Sequence, residues 1–359
     1  MDGILNHAGI AELLAEEAVS ASRPVTEEQL QPASLDLRLG AQAVRVAAGF
    51  LPRGPVERAL ESLAVEQLDL TGGAVLRRNQ VYLVRLVESL RLPPSIRARA
   101  NPRSSTGRID VFTRTIVDGH DRFDEIPAGY QGGLWLEVVP RSFDIRVTTG
   151  QRLNQIRFLR GDPLLTDAEL AARVTADDLI RDGEPAPVQE ASLLLGLSLE
   201  PERAGDPVGW KARADAPRLD LAHAGGLDPA PWFEPVHPGA DGTLVLQPEE
   251  FLLLASRERI AVPPDLAAEM LPWDVGMGEL RTNYAGFFDC GFGWGPDSPA
   301  GARAVLEVRP HDVPFRVVHG QPIFRLQFSR CTEPCTQLYG GPGSAYQAQG
   351  LALARWFRR

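Results

Sequence analysis

The chain has 359 residues, of which 44% are apolar and 23% are charged. At about 150 residues per domain, this length corresponds to roughly two domains or to one large domain. The composition is that of a globular protein, which excludes wholesale disorder. The 37 basic and 47 acidic residues leave a net charge of −10. A net-acidic protein binds the nucleic-acid backbone poorly, so we expect no nucleic acid among its partners.

The first predicted element is a short amphipathic helix near the start of the chain. Its apolar residues Ile10, Leu13, Leu14 and Val19 have a spacing typical of one helix face. Residues 1–18 contain acidic but no basic residues, unlike a secretory signal. No apolar run approaches the roughly 18 residues of a membrane span. We therefore expect a cytoplasmic protein without a membrane partner.

Most of the remaining chain is predicted to form short strands between turns. Residues 143–147 alternate between apolar and polar, which is typical of a half-buried strand. Thr166 to Glu169 form a capping box that predicts the start of a helix running towards Ala172. A second helix is predicted from Thr175 to Ile180, and residues 183–187 are predicted to be linker. The predicted organisation is a first domain at 1–160, a helical linker at 161–190 and a second domain at 191–359.

An internal repeat relates the two halves of the chain. Residues 136–158 align without a gap with 306–328 at an offset of 170, and the same offset aligns 76–102 with 246–272. Identical pairs include Glu88/Glu258, Glu137/Glu307, Pro140/Pro310, Gly150/Gly320, Gln151/Gln321 and Phe158/Phe328. Two separated segments that share one offset indicate tandem duplication of one domain. The pattern predicts two antiparallel β-domains of sandwich or distorted-barrel type.

Six short strings carry a family resemblance. They are QPASLDLRLG (31–40), RSSTGR (103–108), AGYQGGLWLE (128–137), YAGFFDCGF (284–292), VLE (305–307) and YGGPGSAYQAQG (339–350). In this order and spacing they resemble the trimeric dUTPase and dCTP deaminase superfamily, and its dCTP deaminase branch in particular. The resemblance implies a mainly β fold: two tandem dUTPase-like antiparallel domains of β-barrel or jelly-roll type, with a few short helices.

The resemblance also implies an activity, the hydrolytic deamination of dCTP to dUTP and ammonia in pyrimidine deoxynucleotide metabolism. The catalytic candidates are Glu137 and Glu307, because a carboxylate can take the proton of the attacking water without a catalytic metal. Hydroxyl and guanidinium groups suit a triphosphate, and a glycine-rich tail suits a lid. The substrate-binding candidates are Arg103, Ser104, Ser105, Arg108, Ala285, Asp289, Gln321, Tyr339, Tyr346 and Gln349. Mg²⁺ is expected only as a companion of the nucleotide triphosphate, and a homo-oligomer is expected, of which a trimer is one form.

The two halves depart from the family pattern in complementary ways. The second half has WDVGMG (273–278) where the first has RSSTGR, and so lacks the hydroxyl pair and the arginine. The first half has Pro127 at the position of the sugar-binding aspartate. The tail has Ala345 where the family usually has a lysine.

Two arrangements of the site remain open from the sequence. In a composite site, Ser104 and Arg108 would face Asp289 and Glu307. In the rival arrangement, catalysis would use Glu137 within the first half, with the second half as scaffold and lid. The first half lacks the sugar-binding aspartate and the second half lacks the phosphate-binding string. Because the resembled family forms its sites between subunits, this division of the two elements slightly favours the composite site.

Three other functions are alternatives to the deaminase. A dUTP diphosphatase would rely on Asp289 and Mg²⁺, a bifunctional enzyme would carry out both steps, and a nucleotide-sensing module would catalyse neither. Zinc nucleobase deaminases need an H-x-E motif, and no histidine here is followed two residues later by glutamate. Cys331 and Cys335 are therefore interpreted as structural. The odd number of cysteines, completed by Cys290, argues against a disulfide framework.

Overall fold

The computed structural model describes residues 1–182, 187–222, 225–272, 280–282, 286–310, 312–341 and 346–358. The chain forms two compact units. The first is Met1–Pro163 with Pro217–Gly225, and the second is Leu164–Ala216 with Gly226–Arg359. Strands dominate both units and the helices are short, so the predicted mainly β class is confirmed. In the described part of the chain, no helix is long and apolar enough to cross a membrane.

The first unit is an antiparallel strand framework with short helices at its margins. Its helices are α1 (His7–Ala15), α2 (Val56–Leu63) and α3 (Ser104–Gly107). Its strands before the second unit are β1 (Gly3–Ile4), β2 (Val19–Ala21), β3 (Leu35–Val46), β4 (Ala64–Asp69), β5 (Ala74–Leu76), β6 (Val81–Arg91), β7 (Ile96–Pro102), β8 (Val111–Ile116), β9 (Glu125–Ile126), β10 (Gln131–Pro140), β11 (Ile145–Val147) and β12 (Arg152–Arg160). The main sheet runs in the order β8–β10–β6–β3–β12–β7–β9.

Strand β3 lies in the middle of this sheet and is covered on both faces. Leu35, Leu37 and Leu39 are completely buried, as expected for alternate residues that face a core. The intervening Asp36 and Arg38 are buried as well. Charged side chains on the second face must therefore find partners inside the protein, because an unpaired buried charge is costly.

The second unit repeats this kind of framework. Its helix is α4 (Asp167–Ala176). The remaining strands, of which β17 belongs to the first unit, are β13 (Ile180–Asp182), β14 (Val188–Gln189), β15 (Ser192–Ser198), β16 (Gly209–Ala212), β17 (Leu219–Asp220), β18 (Phe233–Val236), β19 (Leu244–Leu246), β20 (Leu252–Ile260), β21 (Leu266–Pro272), β22 (Leu280–Thr282), β23 (Phe287–Phe288), β24 (Ala302–Pro310), β25 (Phe315–Val317) and β26 (Pro322–Arg330). The larger sheet runs in the order β18–β16–β20–β15–β26–β21–β23, and β24 pairs with β20 and β22.

Four strands of the second unit begin and end 170 residues after strands of the first. They are β19, β21, β25 and β26, which correspond to β5, β7, β11 and β12. The turn before β12 and the turn before β26 are also alike. Gln151 Oε1 accepts a hydrogen bond from the Thr148 amide at 2.9 Å. Gln321 Oε1 accepts one from the Val318 amide at 3.2 Å.

The predicted helix at Thr166 begins as expected, whereas the other helix predictions differ from the structure. The Thr166 hydroxyl and the Glu169 carboxylate form the predicted capping box at the start of α4. The helix predicted from Thr175 is wrong, because α4 itself runs through Thr175 and residue 178 turns the chain into β13 with φ +51°. The first helix ends at Ala15, and Val19 belongs to β2 instead. Residues 183–186, in the predicted linker, lie outside the described residues.

Residues Pro217–Gly225 belong to the first unit although their neighbours in the sequence belong to the second. Strand β17 pairs in parallel with β11, Leu219 opposite Ile145. The Arg146 Nη1 and Asp220 Oδ2 atoms lie 3.3 Å apart. This short, distant pairing has no signal in the local sequence pattern.

Candidate active site

The predicted phosphate-binding segment, 103–108, forms α3 and the residue on either side of it. Arg103 Nε lies 3.0 Å from Asp36 Oδ1, and the Asp36 side chain is fully buried. The Thr106 hydroxyl donates to the Leu153 carbonyl at 2.8 Å, which ties the segment to β12. Among the described residues, Arg103 Nη1 is buried without a hydrogen-bond partner. A ligand oxygen could satisfy this donor, so the geometry is compatible with anion binding.

The other residues of this segment differ in exposure. Ser105 and Arg108 are buried, and Ser104 is partly exposed. Sequence reasoning missed Asp36, which anchors Arg103 from β3. The signal was present as an aspartate between Leu35 and Leu37, because a carboxylate buried beside such residues requires a cationic or hydrogen-bonding partner.

Glu137 is held by an arginine. It lies on β10 opposite Arg114 of β8 and is only 1% exposed. Arg114 Nε donates to Glu137 Oε1 at 2.8 Å, and Arg114 Nη2 donates to the same oxygen. A Cβ at Gly49 would lie 2.6 Å from Oε2, so the backbone closely covers the second oxygen. The carboxylate is therefore enclosed by groups of the first unit.

Glu307 has the corresponding place on β24 of the second unit and is 5% exposed. It lies opposite Leu253 of β20. On the other side of β24, Thr282 lies opposite Val308, the residue after Glu307. The next residues along the chain, 283–285, lie outside the described residues.

The tail of the chain is bound to the hairpin that carries Asp289. Gln347 Oε1 accepts from the Gly293 amide at 3.0 Å, and its Nε2 donates to the Gly291 carbonyl at 3.0 Å. Gly291 has φ +93°, and a Cβ there would lie 2.8 Å from the Tyr339 amide nitrogen. Sequence reasoning missed Gln347, which fastens the tail although Gln349 was the predicted residue.

The predicted tail residues are largely buried in the second unit. Gln349 Nε2 donates to the Arg303 carbonyl at 3.0 Å at the start of β24. The Tyr346 hydroxyl accepts from the Arg355 amide at 3.1 Å. The Tyr339 ring packs against Phe292 with ring centroids 5.5 Å apart. The structure therefore brings the tail, the Asp289 hairpin and the Glu307 strand together.

The remaining predicted residues are placed as follows. The Gln321 side chain is used by its own turn, and its substrate-binding role stays a prediction. Ala285 lies outside the described residues, as do residues 273–278 and Ala345. Asp289 directly follows β23 and is 6% exposed.

Tyr130, in the first unit's hairpin string, gives a prediction about alkaline stability. Its hydroxyl donates to the Gly133 carbonyl at 2.8 Å. Burial raises the pKa of this phenol above its usual value. Because the folded state favours the neutral form, this contribution to stability is complete below about pH 10 and is lost as pH rises through the folded pKa. As pH rises from about 8 to about 11, the free energy of urea unfolding should fall less for Tyr130→Phe than for the unchanged chain. Equal losses would contradict this assignment.

The cysteines depart from the prediction. Cys290 and Cys335 form a disulfide, which the odd cysteine count argued against. The third cysteine, Cys331, is buried beside them, with its sulfur 3.5 Å from that of Cys290. The odd number of cysteines did not predict this disulfide, because its formation depends on the contact of two segments 45 residues apart in the sequence.

Comparison with known proteins identifies the family. The N-terminal domain of 2′-deoxycytidine 5′-triphosphate deaminases matches residues 1–162, and the C-terminal domain matches residues 166–357. The chain is therefore an enzyme of the nucleotide deaminase class. It belongs to the 2′-deoxycytidine 5′-triphosphate deaminase family.

Individual relatives agree with this family. The crystal structure of 2′-deoxycytidine 5′-triphosphate deaminase from Agrobacterium tumefaciens is 41% identical and superposes with a TM-score of 0.87, covering 92% of this chain and 99% of that one. A dUMP-forming dCTP deaminase of Sulfurihydrogenibium is 25% identical, covering 44% of this chain and 83% of the relative. A dCTP deaminase of Acidianus ambivalens is 26% identical, covering 38% and 73%. The resemblance seen in the sequence strings is confirmed.

Proposed function

We propose that the chain catalyses dCTP + H₂O → dUTP + NH₃, with Glu307 as the group that activates water. Membership of the deaminase family supports the reaction. The assignment of Glu307 is supported by its position on β24, a strand that is hydrogen-bonded to other predicted substrate-binding segments. The start of β24 is hydrogen-bonded to Gln349 of the tail, and the tail is hydrogen-bonded to Gly291 and Gly293 beside Asp289.

The choice of Glu307 over Glu137 rests on what surrounds Glu137. The Arg114 guanidinium engages one carboxylate oxygen of Glu137, and Gly49 closely covers the other. A catalytic base must reach the proton it abstracts within hydrogen-bond distance. The contact with Arg114 therefore supports a structural role for Glu137.

The proposed chemistry follows from the carboxylate. Glu307 takes a proton from water as the water oxygen bonds to C4 of the cytosine ring, and it passes this proton to N3, which receives the electrons of the C4–N3 double bond. Glu307 then takes the second proton from the new hydroxyl at C4, which becomes the carbonyl, and gives it to the amino group at C4. The C4–N bond breaks, ammonia leaves, and the uracil ring remains.

A separate proposal concerns α3 of the first unit and the residues beside it. We propose that Arg103, Ser104, Ser105 and Arg108 bind the triphosphate, which Mg²⁺ accompanies. The buried Nη1 of Arg103 supports this role. We further propose that the chain forms a cytoplasmic homo-oligomer. We also propose that the two units of each chain arose by tandem duplication. The identical bounds of the strand pairs at an offset of 170 support the duplication.

A second product is favoured by one observation. Relatives from Sulfurihydrogenibium and Methanosphaera stadtmanae are named dUMP-forming dCTP deaminases.

The test of the proposed function incubates the purified chain with dCTP and Mg²⁺ and separates dCTP, dUTP and dUMP by anion exchange. We expect ammonia with dUTP as the accumulating product. Formation of dUMP would extend the reaction to diphosphate release, and no consumption of dCTP would refute the proposed function.

A further inference from the structure

All three cysteines of the chain converge at one place in the second unit. Cys290 follows β23, whereas Cys331 and Cys335 follow β26. The three sulfur atoms lie within 4.8 Å of one another. Cys290 is fully buried, and the other two are 5% exposed. Neither the family assignment nor the proposed reaction uses these residues.

The backbone holds these cysteines in position from several sides. The Cys331 amide donates to the Asp265 carbonyl at 2.9 Å, and the Cys335 amide donates to the Pro264 carbonyl at 2.7 Å. The Cys290 carbonyl accepts from the Tyr339 amide at 2.8 Å. The loop before β21 and the chain after β26 are thus fixed around the sulfur cluster. Such positioning by surrounding hydrogen bonds is what a metal site requires of its ligands.

We propose that Cys290, Cys331 and Cys335, in their reduced form, bind a thiophilic divalent cation such as Zn²⁺. Zinc takes thiolate ligands at about 2.3 Å in tetrahedral geometry, which places sulfur atoms about 3.8 Å apart. The Cys290 and Cys331 sulfurs are already 3.5 Å apart. Three thiolates leave the fourth position to a water molecule or another small ligand.

The disulfide is the competing state of the same residues. The dithiol of Cys290 and Cys335 has two more protons and two more electrons than the disulfide, so the metal site exists only in the reduced chain. The Cα atoms of the pair are 6.3 Å apart. A disulfide uses two of the three sulfurs, whereas the metal site uses all three.

The cluster lies beside the proposed site but is not part of it. Cys290 directly follows Asp289, and Cys335 precedes the tail by a few residues. A metal ion bound here would join the hairpin to the start of the tail. Its expected role is therefore to stabilise this arrangement rather than to act on the nucleotide.

The experiment uses the full chain reduced with a phosphine under argon and freed of metal. Zn²⁺ and, separately, Co²⁺ are then titrated into it. We expect about one ion per chain and a Co²⁺ spectrum with thiolate-to-cobalt charge transfer and the intense d–d bands of tetrahedral coordination. Bound Zn²⁺ should also protect the three thiols from a disulfide reagent. These readouts do not depend on deaminase activity, so they remain informative if the proposed function fails.

Variants separate the metal site from the disulfide. Cys331→Ala keeps both disulfide partners, and we expect it to weaken Zn²⁺ binding more than about 100-fold, because loss of outer hydrogen-bonding partners alone costs about 10–100-fold. Ser329→Ala, a buried position two residues earlier, is the control and should bind normally. Three results would overturn the proposal: a reduced chain that binds no Zn²⁺, a Cys331→Ala variant that binds as the unchanged chain does, or a Cys290–Cys335 bond that resists the reductant. The Co²⁺ spectrum of the unchanged chain decides the matter if the variant does not fold.

Discussion

The Glu307→Gln variant is expected to release ammonia from dCTP about 10²–10⁴-fold more slowly than the unchanged chain, the usual contribution of one general acid–base group. Glutamine has nearly the same size and keeps a hydrogen-bonding oxygen, but it cannot take a proton from water. Because the substitution changes charge rather than shape, we expect kcat to fall much more than KM rises. Initial rates of ammonia release at several dCTP concentrations measure both constants.

The matched control for this prediction is Glu137→Gln. It removes a carboxylate of the same type from the corresponding strand of the first unit. We expect this variant to keep most of its kcat and to lose about 1–3 kcal/mol of unfolding free energy, since Arg114 loses a charged partner. If Glu137→Gln abolishes turnover while Glu307→Gln does not, the assignment of the two glutamates is reversed.

The second large effect concerns stability and a residue outside the site. Glu88 of β6 is completely buried. It accepts from the Arg38 amide at 2.8 Å, from Arg38 Nε at 2.7 Å and from Gln29 Nε2 at 3.1 Å. Glu88→Ala leaves these donors without their acceptor, so we expect a loss of about 3–5 kcal/mol. Calorimetry and urea unfolding would both measure it.

The control for Glu88 is an exposed ion pair on the same unit. Glu66 lies 3.0 Å from Arg45, but its side chain is 54% exposed. Glu66→Ala should cost only about 0–1 kcal/mol, because exposed pairs are screened by solvent. Equal losses in the two variants would show that the buried network does not contribute as argued.

The hydrogen bonds of Glu88 also explain one of the identical pairs in the internal repeat. Glu258, 170 residues after Glu88, accepts from the Gly196 amide at 2.9 Å. Both glutamates thus bind a backbone amide of a central strand. Recurrence at one offset marks these positions in the sequence, but only their contacts separate the structural pair, Glu88 and Glu258, from the site candidates.

Features set by neighbouring residues were predictable from the sequence. The capping box at Thr166 depends on residues three positions apart, and it starts α4 as expected. The ends of helices were less predictable, because they depend on single residues with positive φ, here Glu17 and Asp178. Neither residue type signals this conformation as clearly as glycine does.

Features set by distant residues were not predictable. The Arg114 partner of Glu137 comes from a neighbouring strand, and the register of two strands is not apparent in either one. The convergence of Cys290 with Cys331 and Cys335 joins segments 41 and 45 residues apart. The sequence therefore identified candidate residues by their side-chain chemistry, but it did not identify the residues that contact them.

The most direct test of the central claim follows the solvent oxygen. The unchanged chain, Glu307→Gln and Glu137→Gln are each incubated with dCTP in H₂¹⁸O, and mass spectrometry measures ¹⁸O in the uracil base over time. We predict one ¹⁸O per ammonia released by the unchanged chain and by Glu137→Gln, and strongly slowed incorporation by Glu307→Gln. Product without solvent oxygen, or undiminished incorporation by Glu307→Gln, would contradict a water molecule activated by that carboxylate.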